Sequence, residues 1–181
     1  APRVSATVLV LRDDPFEVLM VSRAARGAFA SALVFPGGVI DPNDREPSWR
    51  DFVEDFDDVA GTERTLRIGA VREVWEETGI LIADAAPPQR AGQTFAAAVA
   101  STGARLRLDA LTHFSHWITP IEEPRRFDTH FFLAVVSRDE VAVPDGAETI
   151  DVEWLSTARG VELALSGERP IIFPTMLNLL R

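Results

Sequence analysis

The chain of 181 residues contains no cysteine and no lysine. Without cysteine there is no disulfide framework, no thiolate metal centre and no thiol nucleophile. Without lysine, all eighteen cationic side chains are arginines, set against 28 acids for a net charge of −10. A uniformly acidic chain lacks the basic surface with which proteins hold nucleic acid or an anionic membrane. It does not forbid a phosphate substrate, because a bound cation inverts the local field. No apolar run approaches the roughly 20 residues that span a bilayer. No basic-then-apolar leader opens the sequence either, and a cytoplasmic location is expected. Internal repeats, low-complexity segments and linkers are lacking too, so one domain over residues 1–181 is the expectation for this length. Composition leaves the oligomeric state open, a homodimer included.

What is present centres on AVREVWEETGI, residues 70–80. On a helix Glu73, Glu76 and Glu77 fall at i, i+3 and i+4 and share one face. Leu66, Ala70 and Val74 recur at four-residue steps and can anchor a neighbouring face in a core. Thr62 is placed to cap this helix and Gly79 to stop it after Thr78. Like charges at i, i+4 repel, so three stacked glutamates either form a solvated acidic face or await a neutralising cation. Upstream, Phe35-Pro36-Gly37-Gly38 follows an apolar run and makes a turn able to bring a bare carbonyl close to them. Oxygen-only ligands suit a hard divalent cation, Mg²⁺ or Mn²⁺.

Arg72 to Ile80, REVWEETGI, resembles the second half of the Nudix box, G-x5-E-x7-R-E-U-x-E-E-x-G-U with U aliphatic. Gly38 matches the first glycine, and Asp44 stands six residues later where the family carries glutamate. Gly38 and Arg72 lie thirty-four apart instead of fourteen, so about twenty residues, roughly 45–61, are inserted inside the motif. An interrupted box is similar to the coenzyme A diphosphatase branch. That branch carries Arg followed by Ser or Ala ahead of FPGG, and Arg23-Ala24 is similar, with a spacing to Phe35 one residue shorter. W-x-T-P followed by RRFDTHFF, residues 125–132, resembles the same branch. The resemblance implies an α/β fold: an α/β/α sandwich around a mixed β-sheet, with residues 66–78 as the catalytic helix.

The rest of the chain reads as short elements. Residues 5–11 and 16–21 are apolar and β-branched around Asp13-Asp14-Pro15, a hairpin. Arg23 and Arg26 flank an Ala-Ala pair, either as solvated loop arginines or as guanidinium forks for phosphate. In the insertion, Phe52, Val53 and Phe56 recur at helical spacing, which predicts a short amphipathic helix, packed as a surface excursion or serving as a lid. Ile80-Leu81-Ile82 reads as a short strand and 94–100 as a helix, with 104–111 extending it or opening a new element. Residues 113–119, HFSHWIT, alternate like a strand, which places His113 and His116 on opposite faces. With no third well-spaced histidine, zinc is not expected there. Arg125, Arg126 and Asp128 form either a rim ion-pair cluster or a substrate contact. Two helices are expected last, at about 157–166 and 174–181.

The resemblance also assigns roles. Many Nudix enzymes place a metal-binding or base glutamate about six residues before a tryptophan that ends the last strand. Glu148 lies six before Trp154 and takes that role, against its reading as an ordinary loop acid. Glu73, Glu76, Glu77, Glu148 and the Gly38 carbonyl are then the metal ligands. Glu73 or Glu148 is the base for a water, and Arg72 orients a helix carboxylate. Arg23, Arg126 and Phe127 are candidate substrate contacts. The implied activity is hydrolysis of the pyrophosphate bond in a nucleoside diphosphate linked to another moiety, with Mg²⁺ or Mn²⁺ as cofactor and coenzyme A or acyl-coenzyme A as leading substrate. The alternative is a Nudix-fold ligand-binding or regulatory module without strong turnover. The isomerase branch of the fold uses a cysteine, which this chain lacks.

Overall fold

Two near-continuous apolar runs form the middle of the sheet, as expected of strands covered on both faces. In this computed structural model, which describes residues 1–24, 32–90 and 92–181, they are β1 (Arg3–Arg12) and β2 (Glu17–Arg23). Arg26 lies outside the described residues. The predicted hairpin is present at its turn, where Leu11 pairs with Val18 and Arg12 with Glu17. Beyond it the strands splay. β3 (Leu33–Val34) pairs with β2, and β4 (Gly37–Val39) pairs with β1. β5 (Thr112–Ile118) runs antiparallel to β6 (Phe127–Val135), and β6 runs parallel to β1 from Arg3/Phe127 to Leu11/Val135. β7 (Thr149–Leu155) pairs with β2. The result is one mixed seven-stranded sheet ordered β3-β2-β1-β6-β5, with β4 on β1 and β7 on β2.

Side-chain alternation sends successive residues to two different cores. Ala6, Val8, Val10, Leu19, Phe132 and Ala134 face one of them, with α1 (Gly61–Thr78) and α2 (Phe95–Thr102). Leu9, Val18, Met20 and Phe131 face the other, with α3 (Thr157–Ser166) and α4 (Phe173–Leu180). Helices thus cover both faces, which is the expected α/β/α sandwich. No helix among the described residues is long and apolar enough to cross a membrane.

Several local expectations change. α1 begins at Gly61 behind Ala60, with no side-chain cap, so Thr62 sits inside the first turn. Gly79 does end the helix, in the left-handed conformation at φ 78°. Residues 80–82 are buried but form no strand, their backbone entering the core as an irregular segment. The insertion has no α-helix. After short 3-10 turns at Pro42–Arg45 and Pro47–Asp51, Val53 pairs in a bridge with Leu106, and the Leu106 N–H donates to the Phe52 carbonyl at 2.7 Å. Backbone pairing to residues 104–106 and burial of Trp49 and Val53 override the helical spacing. Trp49 packs at a tilt against Phe95, centroids 5.4 Å apart, so the insertion is a packed wall. Residues 104–111 open a new element, a 3-10 turn at Leu108–Ala110.

The histidine expectation is overturned. A bulge shifts the β5–β6 register between His113 and Ser115, and an extra residue in a bulge breaks the strict alternation. His113 and His116 both come to lie against His130, with ring centroids at 5.5 and 4.1 Å. Asp128 pairs with His116; the expected rim cluster with Arg125 and Arg126 is not what engages it.

Candidate functional site

The site is built where β4 crosses the C-terminal half of α1. Gly37 and Gly38 pair with Thr7 and Ala6 of β1; backbone crowding requires glycine at Gly37, whereas at Gly38 a side chain would have to displace Glu73. A Cβ on Gly37 would stand 2.5 Å from the Ala6 carbonyl oxygen and 2.6 Å from the Thr7 Cα. A Cβ on Gly38 would stand 2.5 Å from the carboxyl carbon and both oxygens of Glu73. The bare backbone at Gly38 is what lets the Glu73 carboxylate lie flat against the strand.

Glu77 lies deepest. Its Oε2 accepts from the Gly37 N–H at 2.9 Å, and only 4% of the residue is exposed. Burial pushes its pKa up to about 8; the Gly37 hydrogen bond opposes this, while the Glu73 charge adds to it, as does that of Glu148. Burial likewise raises Glu73 and Glu76, each against the pull of Arg72. Glu148 is delivered by the turn that leads into β7. Asp145 Oδ1 accepts from the backbone N–H groups of Ala147, Glu148 and Thr149 at 2.7, 3.0 and 2.9 Å. The Glu148 carbonyl accepts from the Ala24 N–H at 2.9 Å. Its charge thus reaches Glu73 and Glu77. Arg23, at the end of β2, donates to the Gly37 carbonyl at 3.1 Å and adds a positive charge that stabilises ionised Glu77.

Arg72 organises the remainder. Nε and Nη2 donate to Asp44 Oδ1 and Oδ2 at 2.8 and 3.0 Å, and Nη2 also donates to the Val39 carbonyl at 3.0 Å. Nη1 donates to Glu73 Oε1 and Glu76 Oε2, both at 2.8 Å. All five guanidinium N–H groups are therefore used. Burial works against its charge, yet the Asp44 hydrogen bond and the Glu73, Asp44 and Glu76 charges together raise its pKa. Asp44 itself is 1% exposed and closes a capping box with Asp41 at the mouth of the insertion. Its position is structural, joining the inserted segment to α1.

Glu73, Glu76 and Glu77 on α1, with Glu148 close enough for its charge to be felt by Glu73 and Glu77, offer oxygen donors only, and burial holds the three on α1 above the ordinary carboxylate range. That chemistry fits a hard divalent cation. Beside Glu76 opens a cleft of about 440 Å³, lined by Trp75, Arg90, Gly92, Gln93 and Asp145. Arg90 donates to the Glu76 carbonyl at 2.8 Å and to the Val143 carbonyl at 2.6 Å, tying the helix C-terminus to the loop before β7. Sequence reasoning missed Arg90 and Asp145. Asp145-Gly146 carried a turn signal, whereas nothing local marked Arg90. The other two predicted substrate contacts lie in the β5–β6 hairpin. Arg126 Nε donates to the Thr119 carbonyl at 3.0 Å, and the Phe127 N–H to Thr119 Oγ1 at 3.0 Å.

The steric argument at Gly38 yields an expected result. Gly38→Ala displaces a flexible carboxylate end, so it costs only about 1 kcal/mol, or roughly 2–4 °C in Tm at this chain length. Activity falls about 100-fold, as for a comparable misplacement of a reacting group. A thermal melt beside a turnover assay measures both; loss of stability without a disproportionate loss of activity would contradict the placement of Glu73.

The NUDIX domain family matches residues 1–173. The human acyl-coenzyme A diphosphatase NUDT19 is 30% identical over 214 residues, covering 86% of this chain and 57% of that protein. The putative nudix hydrolase 7 of Caenorhabditis elegans is 26% identical over 196 residues, covering 99% of this chain and 60% of that protein. The chain thus spans under two thirds of the length of these curated relatives. Among solved structures, a NUDIX hydrolase from Alicyclobacillus acidocaldarius superposes with a TM-score of 0.85 at 30% identity, covering 99% of this chain and 90% of its own. A family match across nearly the whole chain, on a fold shared with that hydrolase, makes the assignment direct: this chain belongs to the NUDIX domain family.

Proposed function

We propose that residues 1–181 form one unit that hydrolyses the pyrophosphate bond of a nucleoside diphosphate linked to a second moiety, using Mg²⁺ or Mn²⁺. The observation that carries this reading is the approach of Glu73 to the bare backbone of Gly38 beside Glu77, whose burial pushes its pKa up to about 8. Glu73, Glu76, Glu77, Glu148 and the Gly38 carbonyl would hold the cation. When bound, it supplies charge stabilisation at the phosphate oxygens and lowers the pKa of a water.

The chain's own groups then divide the work. Arg72 holds Glu73 and Glu76 in orientation, and the Asp145 turn presents Glu148. Either Glu73 or Glu148 takes the proton of the attacking water. The cleft beside Glu76 falls in the size range of small-ligand sites, and Arg23, Arg126 and Phe127 are the proposed substrate contacts.

Coenzyme A or acyl-coenzyme A is the leading substrate, supported by the 30% identity to an acyl-coenzyme A diphosphatase. The experiment is a product assay with Mg²⁺ or Mn²⁺ on coenzyme A, acyl-coenzyme A, ADP-ribose, NADH and dinucleoside polyphosphates. Phosphopantetheine and 3′,5′-ADP from coenzyme A are expected. Turnover of another substrate would keep the chemistry and discard the coenzyme A branch. No turnover on the whole panel, with metal bound, would favour a ligand-binding module.

A further inference from the structure

All three histidines of the chain meet at one place, on the edge of the sheet away from the glutamates. His116 lies on β5, directly across from His130 on β6, with the rings stacked at 4.1 Å. Asp128, two residues before His130 on the same strand, stands on the same face by strand alternation. Its Oδ1 is 2.5 Å from His116 Nε2 and 3.6 Å from His130 Nε2. One ligand atom from each of the three residues lies within 4.8 Å of the others. His113, brought round by the bulge, places its Nε2 3.3 Å from Nδ1 of His130.

We propose that His116 Nε2, Asp128 Oδ1 and His130 Nε2 form a second divalent-metal site, of zinc class, distinct from the oxygen site on α1. Imidazole nitrogen favours zinc and its neighbours over Mg²⁺, whereas the glutamate cluster has the opposite preference. Bond lengths of about 2.0–2.2 Å to a tetrahedral zinc put its ligand atoms roughly 3.3–3.6 Å apart. The distances observed bracket that range, so small rotamer adjustments bring the three atoms into position. Two histidines and a carboxylate supply three ligands, and the exposed side of His116 leaves the fourth position to water, the pattern of an open zinc site. His113 completes the arrangement. With His130 bound through Nε2, its Nδ1 carries the proton and donates to His113 Nε2, the outer-shell contact that fixes a ligating imidazole. Metal bound here staples the edge strand β5 to β6.

The two sites also connect through the sheet. Gly38 pairs with Ala6, Ala6 with His130, and His130 with His116. The four residues form one row across β4, β1, β6 and β5, on the face covered by α1. Occupancy of the edge site stiffens the strand that flanks the β1 segment against which Gly38 is fixed.

The test is equilibrium dialysis of the full chain against Zn²⁺ with Mg²⁺ in large excess, comparing wild type with the His116→Gln/His130→Gln double variant. One additional Zn²⁺ per wild-type chain is expected, with binding weakened about 10–100-fold in His113→Ala as for loss of an outer-shell partner. Equal zinc uptake by wild type and the double variant overturns the proposal. Should the double variant misfold, nitrogen-detected NMR of the wild type decides, because only three imidazoles contribute. Zn²⁺ should move the Nε2 signals of His116 and His130, and unchanged ring signals at saturating Zn²⁺ overturn it equally.

Discussion

Glu77→Gln is expected to abolish metal-dependent turnover, by at least about 10²–10³-fold, the loss typical when a group that stabilises developing charge is removed, while leaving a folded protein. The variant keeps a carbonyl oxygen to accept from the Gly37 N–H and removes only the ionisable site. Its effect on stability has a pH signature. In the metal-free protein burial holds Glu77 up to about 8, against an ordinary value of 4.5. The folded state therefore binds this proton more tightly than the unfolded state. Its stabilising contribution is complete below pH 4.5 and is lost progressively as pH rises through about 8. The difference across that window is about 5 kcal/mol in order of magnitude. In EDTA the wild-type Tm should therefore fall with rising pH, and Glu77→Gln should flatten the curve. Adding Mg²⁺ should raise the alkaline Tm of wild type, since a ligand bound to the folded state stabilises it, and should do much less for the variant. Glu76→Gln should lose turnover as well, with a smaller pH effect on stability, because Glu76 is far more exposed. Near-wild-type turnover by either variant would sink the metal assignment.

How far the sequence reached depended on whether the signal was local. Glu73, Glu76 and Glu77 share a helix face by spacing alone; Gly37-Gly38, expected in a turn, lie instead in β4, yet the close approach of bare backbone to a glutamate that the two glycines signalled is present at Gly38. Glu148 was legible only through its distance to Trp154; the Asp145 turn that presents it draws on backbone donors that no pattern displays. Asp44 looked like a departure from a family position. The structure gives it a reason: a Cβ on Gly69 would lie 2.8 Å from Asp44 Oδ2 and 2.5 Å from the Ile40 side chain, so helix and 3-10 turn are packed too closely for a longer side chain without adjustment. Phe52, Val53 and Phe56 carried helical spacing, and tertiary pairing with Leu106 prevailed over it. The histidines departed from expectation for a different cause. Alternation is a sound rule for a regular strand, and one bulged residue turns every side chain beyond it to the opposite face.

Arg72→Ala is expected to be the most destabilising of these substitutions. It strips the charge partner from Asp44, which is 1% exposed and, among the described residues, is otherwise held by the Asp41 N–H. Leaving one member of a buried pair uncompensated costs about 3–5 kcal/mol, or on the order of 10 °C in Tm for a chain of this length. The same change frees Glu73 and Glu76, so activity should fall even at temperatures where the variant is folded. Arg72→Lys should recover only part of either loss, because an ammonium cannot span Asp44, Val39, Glu73 and Glu76 with a planar fork. The decisive comparison is a double-mutant cycle. If the loss comes from stranding a buried carboxylate, Arg72→Met/Asp44→Leu should be less destabilised than the sum of its single variants by about 2–3 kcal/mol. The double variant should still be inactive, since nothing then orients Glu73 and Glu76. Additive stabilities would mean that Asp44 and Arg72 act independently, and the insertion would then be joined to α1 by packing of Trp49 and Val53 alone. Activity surviving in the double variant would separate the arginine from the metal site altogether.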